Sequence, residues 1–327
     1  MATGRWSWSS PTPAAPATGS ASTSSSTHPG RAGVLARQHF DMRTENELFR
    51  NIGVWGYWRG ARLLPGSPPG AINVLSRPDG WFWHIPLAGE SWSVGLVVAR
   101  EAFTRDRPGH DSLKDYYLKE VAAHDGLRDL LADATFEGEV RAEQDYSYVA
   151  ERFAGPGHII IGDAAAFLDP LLSTGVHLAQ YSALVGAAAI ATTLSGDLDE
   201  ERALGFFEYT YQRAYNRMLS LVGRMYREYI DSDDYFRRAQ PLSDTDDSPA
   251  AAFTRISTGL TDLGEAGEQQ PRVSSAVIEG STKYMGGIDM APVWDFWRDP
   301  LGTADTVMGE LRLAVEPRLR IREGADS

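Results

Sequence analysis

Residues 162–179 read Gly-Asp-Ala-Ala-Ala-Phe-Leu-Asp-Pro-Leu-Leu-Ser-Thr-Gly-Val-His-Leu-Ala. The apolar run His158-Ile159-Ile160-Ile161 precedes them and reads as a buried strand entering a loop. Each following residue has a use if a ligand sits at the end of that strand. Gly162 lets the backbone pass close to it. Asp163 can accept hydrogen bonds from ligand hydroxyls. Ala164, Ala165 and Ala166 leave room for an approaching chain, and Pro170 stiffens the loop. Ser173 or Thr174 is expected to cap a helix running over residues 174–194. The first-turn N–H groups of that helix, at the positive end of its dipole, then face the ligand, which suits an anion.

A second candidate lies upstream. In Trp81-Phe82-Trp83-His84-Ile85-Pro86 the strand period puts Trp81, Trp83 and Ile85 on one face and Phe82 and His84 on the other. By themselves these aromatics read as packing, and His84 as a partnered structural histidine. Pro86 ends the strand or marks an edge.

These residues need elements to carry them. Short apolar runs at 72–76, 81–87 and 92–99, separated by turn residues, predict an antiparallel meander. Residues 112–124 have the spacing of an amphipathic helix, and strands are expected at 137–142 and 146–149. Residues 31–60 show a mixed pattern with aromatics at Trp55, Tyr57 and Trp58. A second long helix is expected from Asp199 to about Ile230, with breaks at 241–249 and 264–271. Residues 178–194 carry no charge and approach the length of a bilayer span, but Gln180, Ser182, Thr192, Thr193 and many small residues read as a buried helix. No stable membrane span is expected.

Composition narrows the function. The 327 residues contain 31 Lys and Arg against 44 Asp and Glu, a net charge of −13 that argues against nucleic-acid binding. With no cysteine there is no disulfide scaffold, thiolate metal site or cysteine nucleophile, and no metal site is expected. Of the first 30 residues, 25 are Ser, Thr, Pro, Ala or Gly, read as a disordered tail. The chain thus divides into a tail (1–30), a main region (31–240) and a smaller C-terminal region (241–327) that includes Trp294, Phe296 and Trp297.

The string at 162–179 resembles the flavin-contact segment of flavin-dependent halogenases, within the glutathione-reductase-type FAD superfamily. The Trp81–Pro86 hexapeptide matches the W-x-W-x-I-P signature of those enzymes. Ser93-Val94-Gly95-Leu96-Val97-Val98, Gln144-Asp145-Tyr146-Ser147-Tyr148 and Asp231-Ser232-Asp233-Asp234-Tyr235-Phe236 are similar to further family segments. The likeness covers residues 30–238. It implies an α/β (α+β) chain: part of a glutathione-reductase-type FAD-binding fold, with an antiparallel substrate-side sheet and a helical C-terminal region.

The resemblance also implies chemistry. FAD, reduced by a partner flavin reductase, reacts with O₂. A halide, taken as chloride, is oxidised and transferred to an electron-rich ring. Gly162, Asp163, Asp169, Pro170, Gly175 and Val176 would bind the cofactor. Ser173, Thr174 and Gly175 would bind the halide, while Trp81, Trp83, Ile85 and Pro86 would lie near flavin and substrate. Relatives acting on free tryptophan carry Glu immediately before Ser-Thr-Gly, where this chain has Leu172. That difference points to a phenolic or pyrrolic ring tethered to a peptidyl or acyl carrier protein, in antibiotic-type secondary metabolism in the cytoplasm. Arg213, Arg217, Arg224, Arg227, Arg237 and Arg238 read as a solvated face balanced by Glu208, Glu228 and Asp231, with carrier docking as the alternative.

Two family features are missing from the sequence. There is no Gly-x-Gly-x-x-Gly turn for the FAD pyrophosphate. The family's catalytic lysine also has no counterpart, because the only lysines are Lys114, Lys119 and Lys283. Gly30-Arg31-Ala32-Gly33 resembles a family junction at Asp-Ala-Ser-Gly-Arg. Residues 1–29 are therefore expected to be foreign to the family, and the chain truncated. Two other readings stay open: a geranylgeranyl-reductase-like or aromatic-hydroxylase-like FAD enzyme, and a non-catalytic fragment.

Overall fold

The computed structural model describes residues 25–27, 30–228, 249–267 and 311–323. In chain order the strands are β1 (Ser25–Thr27), β2 (Arg43–Arg59), β3 (Asn73–Arg77), β4 (Gly80–Pro86) and β5 (Ser91–Ala99). Helices α1 (Arg100–Asp106), α2 (Leu113–Ala123) and α3 (Asp125–Leu130) follow, then β6 (Thr135–Ala150), β7 (Ala154–Gly155), β8 (His158–Ile160) and β9 (Ala166–Phe167). Two long helices come next, α4 (Gly175–Ser195) and α5 (Glu200–Glu228). The last described elements are α6 (Pro249–Ser257), α7 (Leu260–Gly267), β10 (Leu311–Ala314) and β11 (Arg320–Glu323).

The main sheet has the order β3-β4-β5-β2-β6-β9, and every neighbouring pair is antiparallel. The expected meander is its first three strands. β2 is the element the sequence pattern hid. It lies inside the sheet and is covered on both faces, so Asn51, Gly53 and Gly56 interrupt any simple alternation of apolar and polar residues. β6 is likewise one strand where two were expected, because its pairing with β2 shifts register between Glu45 and Arg50 and again between Trp55 and Tyr57. Such irregularities break the period-two signal without ending the strand.

One face of the sheet packs against α2 and α3. Ile52, Val54, Phe82, Val94, Leu96 and Val98 meet Tyr116, Tyr117, Val121 and Leu127 there. The Ser112 hydroxyl caps α2 by accepting from the Asp115 amide at 3.0 Å. Tyr117 docks the helix layer by donating to the Val94 carbonyl at 2.8 Å. His84 is fully buried on this face and stacks on Trp92 with ring centroids 4.4 Å apart. The expected polar partner is absent: neither ring nitrogen is hydrogen-bonded, and burial pushes its pKa down to about 4, so the ring is a neutral packing element. Pro86 pairs with Trp92 but lies beyond the start of β3, so its missing N–H leaves no gap in the ladder.

The opposite face carries Phe49, Asn51, Trp55, Trp81 and Trp83, the period-two partition expected of the hexapeptide. The Trp83 indole lies over Gly95, donates to the Ser93 hydroxyl at 3.0 Å and neighbours Trp55 at 6.3 Å between centroids.

A second core joins β6–β9 to α4 and α5. Among the described residues, α4 is long and apolar enough to cross a membrane, yet Tyr181, Val185, Ala188 and Ala189 are buried against the other elements. Gly186 lets Ile159 and Phe207 approach its backbone. Leu311 and Ile321 of the β10–β11 hairpin, with Ile256 and Ala266, join this same core. α7 also extends into the break expected at 264–271, as far as Gly267; residues 268–271 lie outside the described residues. Trp294, Phe296, Trp297 and Lys283 lie outside the described residues, as do 241–248. Within the expected N-terminal tail, Ser25–Thr27 instead pairs parallel to His158–Ile160.

The Gly95–Trp83 contact yields a prediction. A side chain at Gly95 would overlap the indole. Gly95→Val should destabilise the chain by about 1–3 kcal/mol and alter tryptophan fluorescence, as read by urea unfolding. An unchanged midpoint would show that Trp83 does not depend on the glycine.

Candidate functional site

β6 holds the first part of the Gly162–Ala179 segment at Asp163 and again at Asp169. The Tyr148 hydroxyl donates to the Asp163 carbonyl at 2.5 Å, and the Asp169 amide donates to the Ser147 hydroxyl at 2.9 Å. From the helical side, the Gly162 amide donates to the Ser182 hydroxyl at 3.0 Å, and Tyr211 donates to the Gly162 carbonyl at 3.2 Å. Gly162 takes φ +56°, a left-handed conformation that favours glycine. The chain turns sharply out of β8, leaving Asp163 half-buried.

Asp169 is oriented inward. Its Oδ1 accepts from the Leu171 amide at 3.0 Å. Its Oδ2 accepts from the Tyr226 hydroxyl at 2.7 Å and from Asn51 Nδ2 at 2.9 Å. The Trp81 indole donates to the same Tyr226 oxygen at 2.6 Å. One carboxylate thus joins β2, β4, the loop and the end of α5. Burial raises its pKa to about 6, and the hydrogen bonds from Tyr226, the Leu171 amide and Asn51 act in the other direction. Through these bonds the Asp169 carboxylate shapes the loop that leads into α4. Pro170 opens the following 3₁₀ turn and is exposed. Sequence reasoning missed Asn51 and Tyr226, since isolated polar residues in a strand and a long helix carry no motif.

The start of α4 departs from the expected cap. Ser173 is left-handed at φ 54°, and Thr174 occupies the cap position with helical angles and no side-chain hydrogen bond to the helix. The Thr174 hydroxyl is buried without a partner. Gly175 and Val176 are exposed, and the space beyond the Gly175 α-carbon is open. An uncapped, exposed helix start at the end of the loop that begins at Gly162 suits an anionic ring or ion. The residues present therefore fit the ring end of a flavin, while the sequence supplies no glycine-rich turn for a pyrophosphate.

Between the tryptophan face and α5 lies a cavity of about 190 Å³ lined by Asn51, Trp81, Leu171, Met225 and Tyr226, with Arg77 and Asp79 also in its wall. A cavity of about 150 Å³ admits benzene, so there is room for one aromatic ring. Trp81 lines it; Trp83, Ile85 and Pro86 do not. Lys119 pairs with Asp115 at 3.0 Å, and the exposed Lys114 lies over Phe136 at 4.7 Å, in the helix layer behind the sheet. Neither reaches the cavity.

The arginine face expected on α5 is overturned in part. Arg213 and Arg217 are buried, not solvated. Arg217 pairs with Asp262 and, at 2.5 Å, with Glu265; Arg213 meets Glu265 at 2.8 Å. Glu208, expected to balance them, is half-buried and turned toward other partners. It accepts from the Phe153 amide at 2.8 Å and from Gln212 at 2.6 Å, and burial lifts its pKa to about 7. Arg237, Arg238 and Asp231 lie outside the described residues, and the side chains of Arg224, Arg227 and Glu228 are not described.

Residues 66–269 match the family model described as tryptophan halogenase. A tryptophan 2-halogenase from Chondromyces crocatus is 37% identical over 246 residues, covering 72% of this chain and 47% of the relative. Among solved structures, the myxobacterial chondrochloren halogenase, described as FAD-dependent, is 34% identical with a TM-score of 0.54 over 74% of this chain and 57% of that one. A flavin-dependent brominase gives a TM-score of 0.65 at 20% identity over 79% and 62%, which speaks for the fold alone. The chain spans about half the length of the curated relatives it matches.

The Asp169 junction predicts a pH effect. A carboxyl raised to about 6 in the fold binds its proton more tightly there than when unfolded. Its contribution is fully present below the unfolded pKa near 4 and is lost as pH rises through about 6. Across that window wild type should gain up to about 3 kcal/mol relative to Asp169→Asn on acidification. Parallel stability profiles for the two proteins from pH 7 to 4 would rule this out.

Proposed function

The chain belongs to the tryptophan halogenase family, and from that membership we propose that it serves FAD-dependent halogenation of an electron-rich ring. The carrying observation is the start of α4: no hydroxyl caps it, its Gly175 and Val176 are exposed, and it follows directly from the loop held by Asp169. When bound, reduced FAD supplies with O₂ the two-electron oxidation that makes a halide electrophilic.

The protein's own residues would do the rest. Asp163 would accept from flavin ribityl hydroxyls, with Gly162 allowing close approach. Gly175 and Val176 would present amides to the anionic ring, and Ser173, Thr174 and Gly175 would hold chloride. Trp81 and Tyr226 would wall off the cavity from water while a planar ring occupies it. A flavin reductase is the partner that would supply reduced FAD, and the cytoplasm is the compartment where the two would meet. No described lysine stands at the cavity, so the group that would hand the oxidised halogen to the ring is not assigned.

Leu172 before Ser173 favours a phenolic or pyrrolic ring delivered by a carrier protein in secondary metabolism. An indole is the second reading, favoured by the Chondromyces crocatus relative, a tryptophan 2-halogenase. Both are testable with purified chain, reductase, FAD, NADH and chloride. Halogenated product from a carrier-bound phenol or pyrrole supports the first, and halogenated free tryptophan the second. A hydroxylated product would point to a monooxygenase. A chain that takes up no FAD would support the non-catalytic reading. Asp163→Asn should weaken FAD uptake about tenfold, the worth of one hydrogen bond to a charged group.

A further inference from the structure

We propose that His177 is a positioning residue for the ligand-facing turn of α4, held from the side by the turn between α6 and α7. This rests on the reading of that helix start as the flavin and halide site. His177 follows immediately after the exposed Gly175 and Val176. Its Nε2 lies 2.7 Å from Asp262 Oδ2, and the other oxygen of that carboxylate is bound by the buried Arg217. The Asp262 carbonyl accepts from Tyr181, one turn further along α4, at 3.2 Å. Gly259, at φ +76°, lies against the imidazole so closely that a methyl group there would overlap the ring. Arg217 reaches on to Glu265, which also holds Arg213. Two arginines and two carboxylates balance within the cluster.

The physical reason for such a clamp lies in the missing cap. A hydroxyl at the cap position would fix the first turn by occupying one of its N–H groups. A helix start that must offer those groups to a ligand needs its anchorage elsewhere. His177 supplies it laterally: the side chain is tied to α7 while the amides before it stay open.

The test compares wild type with His177→Gln, which keeps an N–H donor toward Asp262, His177→Phe, which keeps ring volume without the donor, and Gly259→Ala. The first readout is hydrogen exchange in the ligand-free chain at the Leu178 amide, which donates to the Thr174 carbonyl at 3.0 Å. Exchange should rise about tenfold or more in His177→Phe and Gly259→Ala and stay near wild type in His177→Gln. The second readout is FAD uptake with the melting temperature measured alongside. Affinity should fall about tenfold in His177→Phe and be rescued in His177→Gln. Unchanged exchange in His177→Phe overturns the clamp, as does equal damage in His177→Gln. Loss of FAD affinity only in step with melting temperature makes the cluster merely structural and also overturns the proposal. Wild-type protein that binds no FAD, with exchange following the expected order, overturns the flavin reading and the positioning role built on it, while the clamp geometry stands.

Discussion

A single buried carboxylate organises the site. Asp169 lies out of water and accepts hydrogen bonds from Tyr226, Asn51 and the Leu171 amide, while Trp81 donates to the same tyrosine. Those donors come from the central strand, the tryptophan strand, the loop and the end of the long helix. An ionised group at such depth is tolerated only with its lone pairs engaged. Loss of any donor raises the cost of burying the others, so the four elements are coupled. The cavity lined by Trp81 and Tyr226 lies directly against this junction.

The same loop then has to deliver a helix start. Ser173 in the left-handed region reverses the chain, and Thr174 begins α4 without capping it. Local sequence would permit a hydroxyl cap here, and the fold does not use it. Stability is moved to a neutral buried cluster of arginines and carboxylates one turn away, which reaches the helix through His177. Open amides and a secured first turn are compatible only because the anchorage is lateral.

The tryptophan face shows a comparable division of labour. Gly95 removes a side chain so that Trp83 can lie flat, and β2 contributes Asn51 and Gly53 where an ordinary strand would carry apolar groups. Behind the sheet, α2 and α3 provide a conventional apolar backing, with His84 held there as a neutral ring stacked on Trp92. One face is given to packing and the other to room for a ligand.

What the sequence determined by itself was local. The meander at β3–β5, the Gly-Asp turn after β8, the partition of the hexapeptide between two faces and the two long helices follow from period, turn residues and breakers that neighbours in the chain decide. The family likeness was legible for the same reason, because its motifs are contiguous. What only the tertiary structure decided depends on residues far apart in the chain. β2 and the continuity of β6 escaped the pattern because burial on both faces and register shifts erase alternation. Arg213 and Arg217 look solvated on a helix rich in charge until Asp262 and Glu265 arrive from α7 and bury them. The partners of the Asp169 carboxylate, Asn51 118 residues away and Tyr226 57 away, meet it only through the fold. A side chain's partner is fixed by packing in three dimensions, and no spacing in one dimension encodes it.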